Sequence, residues 1–138
     1  MKNCVGCNCP LTKRHKIKFC SNQCQNDLKY RLYIEKWKKE SRDGGMWIRT
    51  KNISGHLKRY LLDKHKEKCA KCGWNERHPI TGKVPLEVDH IDGDSDNNSE
   101  KNLTILCPNC HALTPYFRNL NKGKGRVWRK DKYLKNKV

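Results

Sequence analysis

The sequence has few of the residues that build a large apolar core, and few acidic residues. Hydrophobic residues make up 35% of the 138 positions, only two are phenylalanine, and the mean hydropathy is −1.03. No run approaches the roughly 18 apolar residues of a membrane-spanning helix, and no apolar segment follows Met1-Lys2. These shortages predict a small cytoplasmic protein without a membrane span, whose modest core needs metal ions or disulfides for support.

Basic residues are abundant where acidic ones are scarce. The chain has 31 Lys and Arg against 14 Asp and Glu, a net charge of +17. The excess lies in residues 1–68 and 112–138, whereas residues 69–111 carry a small acidic excess. Two basic arms around an acidic centre favour a nucleic-acid binder with a cation site in its middle. A membrane surface is a weaker candidate partner, because no strongly apolar helix face accompanies the charge.

Nine cysteines can supply the missing support. In a reducing cytoplasm, CxxC pairs favour zinc over disulfides. Cys69-x-x-Cys72 and Cys107-x-x-Cys110 form two such pairs around a polar insert, and predict one tetrahedral zinc site, here named the core tetrad. Four thiolates leave no open coordination position, so this zinc is predicted to be structural.

A second group of cysteines near the N-terminus predicts a zinc knuckle. Cys4-x-x-Cys7 precedes Cys20-x-x-x-Cys24, and these four residues are the predicted ligands. Cys9 lies close to Cys7 and is the alternative ligand, but two intervening residues let Cys4 and Cys7 turn toward the same ion. The sequence therefore predicts two zinc ions per chain.

Hydrophobic spacing predicts the remaining elements. A helix over residues 22–40 would carry an apolar stripe formed by Tyr30, Tyr33, Ile34 and Trp37. Gly44-Gly45 is the predicted linker, and Ser54 the N-cap of a second helix that ends near Lys66. Residues 86–88 and 103–106 are predicted strands around a polar loop at 92–98, and a third helix can begin at Pro108. This order predicts a small, zinc-stapled α+β fold.

The polar residues of this insert follow a recognisable order. Asp89-His90 ends the first strand, Asn102 precedes the second, and His111 directly follows the last CxxC pair. This order resembles the HNH family of metal-dependent nucleases, over about residues 69–126, and the N-terminal knuckle and basic tail are similar to additions in phage-type members. The resemblance implies a ββα-metal core and nuclease activity.

The resemblance also implies a role for each of these residues. His90 would be the general base, since an imidazole that is neutral near pH 7 can take a proton from water. Asp89 and His111 would hold a catalytic Mg²⁺ or Mn²⁺. Asn102 would bridge the loop with its amide and fix the His90 backbone. Pro115 stands where many members carry a second helix ligand, which leaves the ion two protein ligands.

The predicted function is therefore that of an endonuclease that hydrolyses DNA phosphodiester bonds, by nicking or by cutting both strands. The alternatives are a noncatalytic zinc-finger DNA-binding protein and an RNA-directed nuclease. The predicted domains are a zinc knuckle and helix at 1–45, a nuclease core with a preceding helix at 46–126, and a basic tail at 127–138.

The C-terminal region and the phage resemblance give two further expectations. Lys122, Lys124 and Arg126 alternate with glycine, so the backbone can follow a phosphate track, and these side chains are predicted to bind DNA. The resemblance favours action with a phage terminase, in the cytoplasm of the host cell, over intron mobility or restriction.

Overall fold

The structure is a computed structural model that describes residues 2–14, 17–43 and 53–121, and only the backbone of residues 41–43. The chain divides into two compact units, Met1–Trp37 and Lys38–Val138. The predicted linker Gly44-Gly45 and the predicted DNA-binding residues of the tail lie outside the described residues. Within the described part of the chain, no helix is long and apolar enough to cross a membrane.

The first unit consists of a short cysteine-rich turn region followed by most of helix α1, Asn22–Asp43; the end of this helix, from Lys38, belongs to the second unit. An antiparallel bridge joins Asn3 to Pro10 in the turn region. The helix begins after Ser21, whose Oγ accepts a hydrogen bond from the Cys24 backbone N–H at 3.0 Å, as a capping side chain does. Ile34 and Trp37 of the predicted stripe are buried, which confirms that this face of the helix is apolar and packed.

After the end of α1, the next described helix of the second unit is α2, Gly55–Lys64. The predicted N-cap is confirmed: Ser54 Oγ accepts a hydrogen bond from the Leu57 N–H at 3.2 Å. The helix ends earlier than predicted, because the backbone turns left-handed at Lys66 and Glu67, each with φ +53°. Leu57 and Leu61 are fully buried on its inner face.

A two-stranded antiparallel sheet follows, formed by β1, Glu87–His90, and β2, Leu103–Leu106. In its register Glu87 pairs with Leu106 and His90 with Leu103. Helix α3, Pro108–Ala112, follows β2 directly, with proline in its first turn where the missing N–H costs nothing. Short 3₁₀ turns cover Glu100–Asn102 and Arg118–Asn121. The predicted order of strand, loop, strand and helix, and the α+β class, are confirmed.

The loop after β1 is packed against the chain that follows α3. Gly93 has φ +74°, a left-handed conformation that favours glycine. A Cβ at this position would lie 2.5 Å from Cγ of Tyr116, so no larger residue fits without movement of the ring. Asn121 Nδ2 donates a hydrogen bond to the Gly93 carbonyl at 2.8 Å. These contacts hold the loop in one place beside the end of β1.

Candidate active site and metal centres

The core tetrad is assembled as the sequence predicts. The sulfur atoms of its four members lie within 4.8 Å of one another: Cys69, Cys72, Cys107 and Cys110. The sulfurs of Cys72 and Cys107 are 3.8 Å apart, close to the spacing of about 3.8 Å that tetrahedral Zn–S bonds of about 2.3 Å require. Soft sulfur donors in this arrangement suit zinc. The site could hold zinc.

Backbone N–H groups stabilise the thiolate form of one cysteine of this tetrad. Burial raises the pKa of the Cys69 thiol, but the backbone N–H groups of Cys107, Cys72 and Lys71 outweigh burial and lower that pKa to about 6. Thiolate is the form that binds metal. The Ala70 N–H also donates to the Ile105 carbonyl at 2.9 Å, which fastens the first CxxC turn to β2.

The N-terminal knuckle brings together five thiols where the prediction used four. The mutually close set is Cys4, Cys7, Cys9 and Cys20, within 4.8 Å of one another. It contains the alternative Cys9 in place of Cys24. The Cys24 sulfur is nevertheless 3.4 Å from that of Cys4, and the Cys9 sulfur is 3.1 Å from that of Cys7. Four thiols could hold zinc here, and the choice of Cys24 as the fourth ligand stays a prediction.

A glycine makes room for Cys24 at this knuckle. A Cβ on Gly6 would lie 2.5 Å from the Cys24 sulfur. As in the core tetrad, burial raises the pKa of one thiol, Cys4, while the N–H groups of Cys20, Cys7 and Gly6 lower it, to a net value of about 6. Both clusters therefore contain a thiol that ionises easily.

Asp89 and His111, predicted to share an ion, lie side by side. Oδ1 of Asp89 is 3.5 Å from Nε2 of His111. The other ring nitrogen, Nδ1, donates to a carboxylate oxygen of Glu87. Glu87 and Asp89 are alternate residues of β1, so both side chains leave the same face of the sheet, toward α3. A carboxylate and an imidazole at this separation are a donor set that a divalent cation can use.

The environment of Asp89 favours a nearby positive charge. Burial raises the pKa of this carboxyl group, and the charges of His111 and His90 act in the opposite direction. A partly buried carboxylate gains more from a bound cation than an exposed one does, because less water screens the attraction. The fit of Asp89 and His111 to a divalent ion therefore has both a geometric and an electrostatic basis.

His90 contacts a residue that the sequence did not single out. Its Nε2 lies 2.8 Å from Oδ1 of Asn98, whose side chain is fully buried. With an amide oxygen as its partner, Nε2 carries the ring proton, and Nδ1 is the nitrogen left to accept one. Asn98 thus fixes the orientation of the His90 ring.

Asn102 bridges the loop, but it does so through partners other than His90. Its Nδ2 donates to Oδ1 of Asp92 and to the carbonyl of Asn97, both at 2.8 Å. Its Oδ1 accepts from the Asp92 N–H at 3.0 Å, and its carbonyl accepts from the Ile91 N–H at 2.9 Å. The predicted bridge is present at the residues that directly follow His90. The bond to the His90 ring itself comes from Asn98.

Comparison with known proteins bears on the same segment. Residues 69–113 match the family model described as HNH endonuclease. This segment, about a third of the chain, is the part that resembles the HNH endonuclease family. The match begins at the first cysteine of the core tetrad and ends just after α3, so the zinc cluster, both strands and the polar residues described above fall within one HNH domain. The resemblance drawn from Asp89-His90, Asn102 and His111 is confirmed.

Two similar proteins extend the comparison. The H-N-H endonuclease F-TflIV of Escherichia phage T5 is 45% identical over 60 residues, which cover 41% of this chain and 24% of that protein. The chain thus spans about a quarter of the length of the curated relative that it matches. A solved structure, that of the type IV phosphorothioation-dependent restriction endonuclease ScoMcrA, is similar with a TM-score of 0.42 and 22% identity. That similarity covers 76% of this chain and 26% of the other.

Two residues of the HNH domain escaped the sequence-based prediction. Asn98 stands among several Asp and Asn residues of the loop, and nothing in its local pattern separates it from them. Glu87 does carry a signal, since it lies two residues before Asp89 and so shares its face of the strand. Pro115, where a second helix ligand was considered, lies in a turn beyond the end of α3 at Ala112.

Proposed function

We propose that this chain is a metal-dependent endonuclease that hydrolyses phosphodiester bonds of DNA. The observation that carries the proposal is the 3.5 Å approach of Asp89 Oδ1 to His111 Nε2, next to a histidine whose Nδ1 is left to accept a proton. A noncatalytic zinc finger would have no use for this combination. The basic arms of the chain, within a net charge of +17, supply the attraction to a polyanion.

The residue proposed as general base is His90. Its Nδ1 would take a proton from the attacking water, while Asn98 holds the proton on Nε2. A fixed ring and a fixed tautomer are what general-base catalysis requires, because the accepting lone pair must point at the water before reaction. Asn102, through Asp92, keeps the loop that carries Asn98 in register with the end of β1.

The residues proposed to hold the catalytic ion are Asp89 and His111, with Mg²⁺ or Mn²⁺ as the candidate cations. When bound, such an ion would neutralise charge on the scissile phosphate and stabilise the departing 3′ oxygen. The protein's own contribution is to place a carboxylate and an imidazole nitrogen together on one face of the sheet. His90, at the end of the same strand, is then adjacent to them in sequence.

Incubation of the purified chain with supercoiled plasmid tests this function directly. Parallel reactions contain Mg²⁺, Mn²⁺ or no added divalent ion, and structured RNA serves as a second substrate. We expect nicked or linear DNA only where the ion is present, and RNA left intact. Binding of duplex DNA without cleavage in any reaction would favour the noncatalytic zinc-finger alternative, and preferential loss of RNA would favour an RNA-directed nuclease.

The basic residues Lys122, Lys124 and Arg126 are proposed to bind phosphates. Replacement of all three by alanine should weaken binding to every duplex alike, because phosphate binding carries no sequence information. The slope of log affinity against log salt should fall by about 0.9 for each phosphate that the variant no longer neutralises. Fluorescence anisotropy over a salt series measures this, with the charge-conserving set Lys122→Arg, Lys124→Arg and Arg126→Lys as control. An unchanged slope in the alanine variant would mean that these residues do not touch DNA.

The proposal also covers the protein's location and its partner. We propose that it acts on DNA in the cytoplasm of a host cell, and the similarity to a phage endonuclease supports this location. The partnership with a phage terminase stays a prediction.

A further inference from the structure

Each nitrogen of the His111 ring has a carboxylate beside it, but only one of the two carboxylates forms a hydrogen bond with the ring. Nε2 lies 3.5 Å from Asp89 Oδ1, whereas Nδ1 donates a hydrogen bond to Oε2 of Glu87. The side chain of Asp89 is 14% exposed and that of Glu87 is 53% exposed. The two carboxylates thus differ in place: Asp89 lies inside the site beside the candidate metal-binding nitrogen, and Glu87 lies at its outer edge.

The strand fixes this division. Glu87 and Asp89 are two residues apart in β1, so both side chains project from one face. Their partners in β2 are Leu106 and Thr104, and β2 runs directly into the helix that carries His111. The pairing of β1 with β2 therefore places the His111 imidazole beside both carboxylates.

A second contact limits rotation of the same ring. The Phe117 ring packs edge-on against His111, with centroids 5.2 Å apart and an interplanar angle of 78°. An edge-on aromatic contact is a weak interaction, and it carries no preference for one nitrogen over the other. The 3.5 Å approach of Asp89 to Nε2 is longer than an ordinary hydrogen bond, so the hydrogen bond between Nδ1 and Glu87 decides which nitrogen bears the proton.

We infer that Glu87 is the positioning residue for His111. Its carboxylate accepts the Nδ1–H bond, which keeps the proton on Nδ1 and leaves Nε2 as the unprotonated nitrogen beside Asp89. An imidazole that binds a metal through one nitrogen is commonly held in this way by a carboxylate on the other, which sets its tautomer and raises its basicity. The ligand class is a divalent cation that accepts oxygen and nitrogen donors.

A fixed His111 ring also explains how two protein ligands can suffice. The short helix α3 ends at Ala112, and Pro115 offers no donor side chain where a further helix ligand was considered. A fixed His111 ring compensates by binding more tightly than a freely rotating imidazole would. This role of Glu87 rests on the proposed function only in taking Asp89 and His111 as the binding pair.

Mn²⁺ affinity provides the first readout. The zinc-loaded full chain is titrated with Mn²⁺ and followed by electron paramagnetic resonance, without DNA. Glu87→Ala should weaken Mn²⁺ binding about 10–100-fold, the usual cost of losing an outer hydrogen-bond partner of a metal ligand. Glu87→Gln keeps an acceptor oxygen and should recover part of the loss. Glu76→Gln, at another exposed glutamate of the same unit, is the matched control and should leave the affinity unchanged.

The tautomer of His111 is the second readout. Nitrogen-15 NMR of the imidazole, in protein that carries zinc but no Mn²⁺, should show the proton on Nδ1 in the wild type. In Glu87→Ala the proton should redistribute toward Nε2, with zinc content and the circular dichroism spectrum unchanged. If the alanine variant loses its fold, the glutamine variant supplies the same comparison.

Two results would overturn the inference. An unchanged tautomer together with unchanged affinity would mean that Glu87 has no role at the ring. An unchanged tautomer with weakened affinity would make Glu87 a direct ligand of the ion in place of a positioning residue. Because neither measurement uses DNA, failure of the plasmid assay would count against the proposed nuclease function alone.

Discussion

Replacement of His90 by alanine is expected to abolish DNA cleavage while leaving DNA affinity within a few-fold of the wild type. The loss should be about 10²–10⁴-fold, the usual contribution of a general base. Affinity survives because it depends on the basic arms, whereas Nδ1 of His90 acts only on the attacking water. Single-turnover cleavage and anisotropy binding, measured on the same preparations, separate the two effects. His78→Ala, at an exposed turn, is the matched control.

The other two proposed site residues should fail in a different way. Asp89→Ala and His111→Ala remove donors to the ion, so a high concentration of Mn²⁺ should restore part of their activity. His90→Ala lacks the proton acceptor itself and should gain little from Mn²⁺. Rescue of His90→Ala alone would reverse the assignments, and a near wild-type rate in this variant would exclude His90 as the base.

Cys107→Ser is expected to unfold the HNH domain. The Cys107 side chain is buried, its sulfur accepts a hydrogen bond from the Cys110 N–H at the start of α3, and it faces the sulfur of Cys72. The binding energy of a structural zinc is about 10 kcal/mol or more in small modules, and whole domains are stable by only about 5–15 kcal/mol. Loss of this one ligand should therefore remove the cooperative thermal transition of the domain.

Elemental analysis after dialysis provides the stoichiometry for this experiment. The wild type should contain two zinc ions per chain and Cys107→Ser one. Cys9→Ser should retain both ions and most of its stability if Cys24 is the fourth ligand of the knuckle. Collapse of the knuckle in Cys9→Ser would instead support the set that includes Cys9. A single zinc in the wild type would contradict the predicted ligand set of the knuckle.

Much of the fold could be predicted because its determinants are local. A CxxC pair forces two thiols together over four residues, a serine before an apolar helix face caps that helix, and a proline after a strand opens the next one. These signals correctly located the core tetrad, Ser54 and Pro108. The end of α2 was missed because left-handed backbone at Lys66 and Glu67 is not apparent from those residue types.

The contacts that define the site depend on longer-range geometry. The bond between His90 and Asn98 requires a particular path of an eight-residue loop segment rich in equivalent polar side chains. The bond between Glu87 and His111 joins residues on different elements, 24 positions apart, so strand alternation could suggest the face of Glu87 but not its partner. At the knuckle, five thiols with similar reach left the fourth ligand undecided.

One feature of α3 links the two kinds of metal site. This helix of five residues carries Cys110 of the core tetrad and, directly after it, His111 of the candidate catalytic pair. An ion at the tetrad would order this helix and so lower the entropy cost of binding a second ion at Asp89 and His111. Such coupling is reciprocal: the factor by which zinc tightens the binding of the divalent cation equals the factor by which that cation tightens zinc. Occupancy of the nuclease site would then protect the protein's zinc against a chelator.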